Sequence, residues 1–342
     1  MGPRALSPPA RARGGGRLRT RLAWLTAAAV AACAPVRSAN VPPTPAPSST
    51  AGAPAASAAT TEPPLDLEAG EALGRQPEEG EILVRTTVLR GHPVGVHVGF
   101  LFGMWQGWRS TFRALARDPV ADFDWVDVVG PSDPAKERMV ARVAEGAPDA
   151  ALDGRMVAMQ ARSAEPAASH VDGRVPAAAA RLDGVLRVVF RPEPHFVAAT
   201  AVANGPALSR LLARTRVRLP ESAPLEAVRL DVPHPHDAVR ILPASIRRIR
   251  ASILALANGD AEGTGEGDCE SAEEAARTAA ALRETIARQN SPMVRMLTHG
   301  LLDGIAIASD GPLVKIHLHA TRDQLETVLS VMAAITPGDG AP

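Results

Sequence analysis

Lys315, His317 and His319 alternate along the run Leu313 to Ala320, with Val314, Ile316 and Leu318 between them. On a strand this places the three polar side chains on one face. Two imidazoles two residues apart can converge on one zinc or copper ion. His317 and His319 are therefore the candidate metal ligands, with His234, His236 or Asp237 as possible third donors. Lys315 on the same face opposes a cation, so the competing reading is a solvated polar face of a half-buried strand. A second oxygen-rich stretch runs from Asn258 to Glu270. Asn258, Asp260, Glu262, Gly263, Thr264 and Glu266 fall where an EF-hand loop places its ligands and turn glycine, between two predicted helices. Cys269 stands where calcium needs a bidentate carboxylate. The expectation is a surface insertion, loosened by Gly259, Gly263, Gly265 and Gly267.

Catalytic patterns are sparse. The chain contains no Gly-x-Ser-x-Gly elbow, His-Glu-x-x-His, Ser-x-x-Lys or phosphate loop. Ser132 follows a predicted strand, in Gly130-Pro131-Ser132-Asp133-Pro134, and could serve a serine hydrolase; a turn opening a helix explains it equally. Trp105, Trp108 and Trp125 could line a pocket or fill a core. Arg210, Arg214, Arg216, Arg218, Arg247, Arg248 and Arg250 could meet anionic headgroups or simply face water. Acidic and basic residues balance at 37 each, so no global field recruits nucleic acid. No cofactor is expected, and no protein partner is named by the sequence.

The N-terminus is more specific. Arg4, Arg11, Arg13, Arg17, Arg19 and Arg21 precede an apolar run from Leu22 to Ala32. Eleven helical residues reach roughly 16 Å, half of a ~30 Å hydrocarbon core, which reads as a signal segment and not a permanent span. Val30-Ala31-Ala32-Cys33 resembles a bacterial lipobox, a branched aliphatic and two small residues before the cysteine that receives lipid. The alternative is an ordinary signal peptide cut after Ala-x-Ala, leaving Cys33 free to bridge Cys269. The predicted organisation is a lipoprotein signal at 1–32, then Cys33 and a disordered Pro/Ala/Ser/Thr-rich stalk to residue 80. A single domain follows at 81–337.

That domain must position the candidates above. Asp118-Pro119, Asp122, Asp124 and Gly130-Pro131, following Trp105 and Trp108, resemble a group of predicted lipoproteins from GC-rich Gram-negative bacteria. The resemblance covers about residues 83–200, and the group carries no assigned activity. In such a host Ala34, after the lipidated cysteine, implies sorting to the outer membrane, facing the periplasm or exported. Alternating apolar residues predict strand pairs around Gly91-His92-Pro93 and Pro233-His234-Pro235, and hairpins at 185–202 and 302–320. Three- and four-residue spacings predict helices at 101–115, 151–162 and from Ile246 to Leu256. Further helices are expected after Asn204, Ser271 and Thr321. Leu182-Asp183-Gly184 and Leu302-Asp303-Gly304, 120 positions apart, each precede strand, turn, strand and helix. The expected fold is α+β, an antiparallel or mixed sheet carrying helices. An internal duplication of a β-hairpin–α unit would give halves at about 82–216 and 225–336. The expected role is a non-catalytic binding or structural module, and the alternative is an exported metal- or small-ligand-binding protein using His317 and His319. A serine hydrolase comes last.

Overall fold

A computed structural model describes residues 64–335, apart from 105–107, 117, 131–135, 147–148, 162–169, 172–174, 183, 222 and 240–241. In chain order it forms β1 (Leu65–Glu68), α1 (Ala69–Ala72), β2 (Glu81–Val84), α2 (Thr86–Gly91), α3 (Gly99–Met104), α4 (Arg109–Leu115) and α5 (Pro119–Asp122). Then come β3 (Phe123–Val129), β4 (Arg138–Val143), α6 (Asp149–Ala161), β5 (His170–Val171), β6 (Val175–Leu182), β7 (Val185–Phe190) and β8 (Phe196–Ala201). The chain continues through α7 (Gly205–Leu212), β9 (Thr215–Arg218), β10 (Glu226–Pro233), α8 (Pro235–Ala238), β11 (Arg248–Ala255) and β12 (Ala261–Asp268). It closes with α9 (Ala272–Gln289), α10 (Pro292–Leu297), β13 (Ile305–Asp310), β14 (Leu313–Ala320) and α11 (Arg322–Ile335). Among the described residues no helix is long and apolar enough to cross a membrane.

The fold is α+β. Twelve strands form one open sheet in the order β13-β14-β12-β11-β10-β2-β3-β4-β8-β7-β6-β5, and β1 pairs with β9 in a small parallel ribbon. Neighbouring strands of the large sheet run antiparallel. Strand order repeats about its centre. From β2 outward one reads β2-β3-β4-β8-β7, and from β10 outward β10-β11-β12-β14-β13. Each half threads three antiparallel strands, a helix, a hairpin inserted beside its third strand, and a closing helix. Because β2 and β10 pair antiparallel, the halves are related by a pseudo-twofold normal to the sheet. The duplication is therefore present in topology, and its seam is the β2–β10 pair.

The Leu-Asp-Gly motifs are not its signature. Gly184 adopts φ +81 in the tight turn where Leu182 and Val185 face each other, whereas Gly304 ends a 3-10 turn without positive φ. The closing helices differ too. Leu208 and Leu212 of α7 are buried in the first half's core, but Leu325, Val328 and Leu329 of α11 are only half-buried.

Two adjacent rows across the sheet explain the layering. One row reads Ile307, Ile316, Gly265, Ala251, Leu230, Ile82, Val128, Met139, Ala199, Val189 and Ala178, apolar from end to end. Its face is covered by α2–α6 over the first half and by α9 over β13 and β14. The next row, on the opposite face, reads Ala306, His317, Thr264, Ser252, Arg229, Leu83, Asp127, Val140, Ala198, Phe190 and Ala177. It turns from polar to apolar at the seam. α1, α7 and the β1–β9 ribbon cover the apolar part, burying Leu83, Trp125, Val140, Phe190 and Ala198.

Several expectations change. Residues 65–80 are no stalk: Ala69, Ala72 and Leu73 are buried against that core. The alternating residues 94–100 form a 3-10 turn and the start of α3, not a strand. Gly95 permits this, since a Cβ there would lie 2.0 Å from the Leu89 carbonyl oxygen. After β10 the chain forms α8, where a second strand was expected. The expected helix around Ile249 and Ile253 is β11, and the glycine-rich insertion is β12. The predicted helix 101–115 gives α3 and α4, and the alanine-rich stretch 175–182, for which no element was expected, is β6. Capping is as expected at two helices. The Ser271 hydroxyl accepts from the Glu274 N–H (3.2 Å), and Thr321 and Gln324 exchange hydrogen bonds.

Candidate functional site

The histidine strand lies on the exposed face of the second half. His317 Nε2 is 2.6 Å from Glu262 Oε1, His319 Nε2 is 3.4 Å from Asp260 Oδ2, and Lys315 Nζ is 2.6 Å from Asp310 Oδ2. The expected third donors do not converge with them. His234, His236 and Asp237 follow the end of β10 that lines up with Leu313, at the opposite end of the strands from His319, and His236 Nδ1 is engaged by the Leu242 carbonyl. Among the described residues no group of three or more His, Cys, Asp and Glu is placed to hold a metal ion. A calcium loop at 258–270 is also excluded. Glu262, Thr264 and Glu266 lie on one face of β12 with Gly263 and Gly265 on the other, so they cannot wrap an ion. Asn258 and Asp260 instead make a tight turn, and Asp260 Oδ1 accepts from the Arg322 N–H at 2.8 Å. That bond, more than any other influence, holds the Asp260 carboxyl below its usual range.

Other candidates scatter. Ser132, Trp105 and Cys33 lie outside the described residues. Trp108 and Trp125 are core, and Cys269 is a buried free thiol whose pKa burial raises. Arg210, Arg214, Arg216, Arg218, Arg247 and Arg250 are exposed; Arg218, Arg247 and Arg250 pair with Glu68, Glu270 and Asp268.

Arg248 alone of that set enters a half-buried cluster at the seam. Arg248 Nε and Nη2 fork onto both oxygens of Asp231 at 2.6 and 2.7 Å. Arg75, from the segment expected to be stalk, bridges Asp231 on β10 (2.5 Å) and Glu81 on β2. Asp231 and Glu81 face each other across the seam. One guanidinium thus ties both halves. Burial opposes charge on Asp231, but bonds from Arg248 and Arg75 outweigh it and hold this carboxyl below its usual range. For Glu81 burial wins, with help from Asp231, and its pKa is raised. Two residues outward from Glu81, opposite Leu83, stands Asp127. It is fully buried, and its carboxyl has no side-chain hydrogen-bond partner, only a weak influence from the adjacent Val128 N–H. Burial, then the Glu81 charge, drive its pKa well above the carboxylate range.

A third polar group sits under the helices. Glu137 and Arg187 form a fully buried ion pair, and the Arg187 guanidinium lies 4.0 Å from the Trp108 ring centroid. The seam cluster and this pair were both missed in the sequence. The available signal was Asp127, a carboxylate inside the otherwise apolar run Trp125 to Val129.

Comparison with protein families and with curated proteins gives no match. Among solved structures, the chain is similar to TP0453, crystal form I, at 13% identity. That likeness covers 81% of this chain and 98% of that chain, with a TM-score of 0.39.

Proposed function

We propose that this chain is an exported, lipid-anchored envelope protein whose folded part acts as a non-catalytic binding or structural module. The observation that carries the reading is the N-terminal pattern: six arginines, eleven largely apolar residues, then Val30-Ala31-Ala32-Cys33. An apolar run of that length is too short to span and ends where a lipobox peptidase would cut. Ala34 to Pro64 supplies a Pro/Ala/Ser/Thr-rich tether leading to Leu65, where β1 begins with its N–H bonded to the Arg214 carbonyl at 2.9 Å. The membrane is the partner, reached through lipid on Cys33. The outer membrane, facing the periplasm or exported, is the proposed location, in line with the resemblance to predicted Gram-negative lipoproteins. The uncovered polar face around Thr264, Lys315, His317 and His319 is the surface left for a further partner.

Detergent-phase partitioning and metabolic labelling with palmitate test this. The wild type should enter the detergent phase and take label. Cys33→Ser should do neither, and equal partitioning of the two forms would end the reading.

A further inference from the structure

The segment Leu65–Gly80 is a strap: β1 joins β9 at one end, and the rest packs over the sheet face that carries Asp127. α1 lies over the seam with Ala69, Ala72 and Leu73 buried against the cluster that holds Leu83, Trp125 and Val129. Its backbone approaches Glu81 so closely that a Cβ on Gly70 would sit 2.6 Å from Glu81 Oε1. Three arginines tie it down. Arg75 reaches Glu81 and Asp231, Arg138 donates to the Leu73 carbonyl (2.7 Å) and to Glu79 (2.5 Å), and Arg248 donates to the Pro77 carbonyl (3.2 Å). Asp127 lies on the face the strap covers, opposite Leu83, fully buried and with no side-chain partner. The charged groups on its face of the surrounding strands are Glu81 on β2 with Arg85 just beyond its end, Arg138 and Arg142 on β4, Arg229 and Asp231 on β10, and Arg248 and Arg250 on β11. From the strap come Glu79 and Arg75. Arg85 is turned to the Pro220 carbonyl, Arg142 to Asp124, Arg229 to Glu226 and Arg138 to Glu79. Arg75 is thus the cation whose charge bears on Asp127, and Asp231 and Glu81 already engage it.

We propose that the strap is a pH-gated latch: uncharged Asp127 lets it close over the seam, and ionised Asp127 drives it off the sheet. Loss of that proton to solvent sets a new carboxylate beside Glu81, with Arg75, already engaged by Glu81 and Asp231, the cation they would share. An unpaired buried charge is not tolerated. Either water must reach Asp127, which requires α1 to lift, or Arg75 must leave Glu81 and Asp231 for it, which unfastens the strap. The sign follows from the direction of the shift. The folded-state pKa is raised, so closure is favoured at low pH and weakens as pH rises toward and through that value. Opening would uncover Leu83 and Trp125 while β1 stays held to β9.

Amide hydrogen exchange on the full chain between pH 6 and 9, corrected for intrinsic exchange, tests the latch. Protection at residues 69–75 should fall at least tenfold across the range, by up to about tenfold per pH unit for one ionising group. Amides of β3 and β4 should hold. Asp127→Asn should abolish the fall, and Arg75→Gln should leave the strap open at every pH. Constant protection of the wild-type strap, or an equal fall in Asp127→Asn, would overturn the proposal. Should Asp127→Asn fail to fold, labelling of Ala72→Cys in the otherwise wild-type chain gives the same readout without touching the cluster. Its reactivity, corrected for thiolate fraction, must rise with pH.

Discussion

At the residue scale, the charges that matter are those with no water to share. Glu137 and Arg187 are both fully buried beneath the helices, with Trp108 stacked on the guanidinium. Removing one partner of such a pair strands the other in a medium that cannot solvate it, at a cost of about 3–5 kcal/mol. Arg187→Gln should therefore lower the unfolding free energy by that amount in urea titrations, and Arg187→Lys should recover little, because the flat stack on Trp108 is lost. The exposed histidines behave oppositely. His317 and His319 each contact a carboxylate at the solvent-facing surface, where such contacts contribute little to stability. The double variant His317→Ala/His319→Ala should melt within a few degrees of wild type and leave zinc content unchanged; loss of bound zinc would restore the metal reading.

At the scale of elements, the strap decides where the domain begins. A chain starting at Gly80 loses the buried Leu73, Ala69 and Ala72 and the Arg75 bridge, whereas one starting at Pro64 keeps them. Burial of Leu73 alone is worth about 1.5–3 kcal/mol. The shorter form should melt on the order of 10 °C below the longer one, at about 2–4 °C per kcal/mol. Elements were legible where one period dominated. β13 and β14 follow alternation, β3, β7 and β8 are short apolar runs bounded by turn residues, and Ser271 and Thr321 mark their helices. β11 misleads because Ile246, Ile249 and Ile253 satisfy a helical spacing while Ile249, Ala251 and Ile253 satisfy a strand. β12 hides its alternation because one face is Gly263, Gly265 and Gly267, which lack the side chains that announce a buried face. The strap hides in low hydrophobicity, its packing done by two alanines and one leucine. The seam cluster was illegible because its members come from the strap and four strands, 75 to 248 in sequence, and only folding sets Arg75 beside Asp231.

For the whole molecule, the twofold sheet makes each half depend on the other. Splitting the chain between residues 221 and 223 would leave β2 and β10 as exposed edge strands where the centre was, and cut Asp231 from Arg75. Long exposed edges of that kind drive association. Co-expressed halves should co-elute as a one-to-one complex in size-exclusion chromatography, while each alone should be insoluble or aggregated. A first half that stays monomeric with its own cooperative melt would show two independent domains.

The parallel pairing of β1 with β9 also has a mechanical reading. A pull along the chain entering Leu65 acts along β1, so the Leu65–Thr215 to Glu68–Arg218 rungs are loaded in shear and together, not peeled one at a time. Beyond them the load passes through α1 to the Arg75 and Arg138 bonds. The domain thus meets force applied at Leu65 with a short clamp in series with an ionic lock, and the seam between the halves is the part that such tension reaches next.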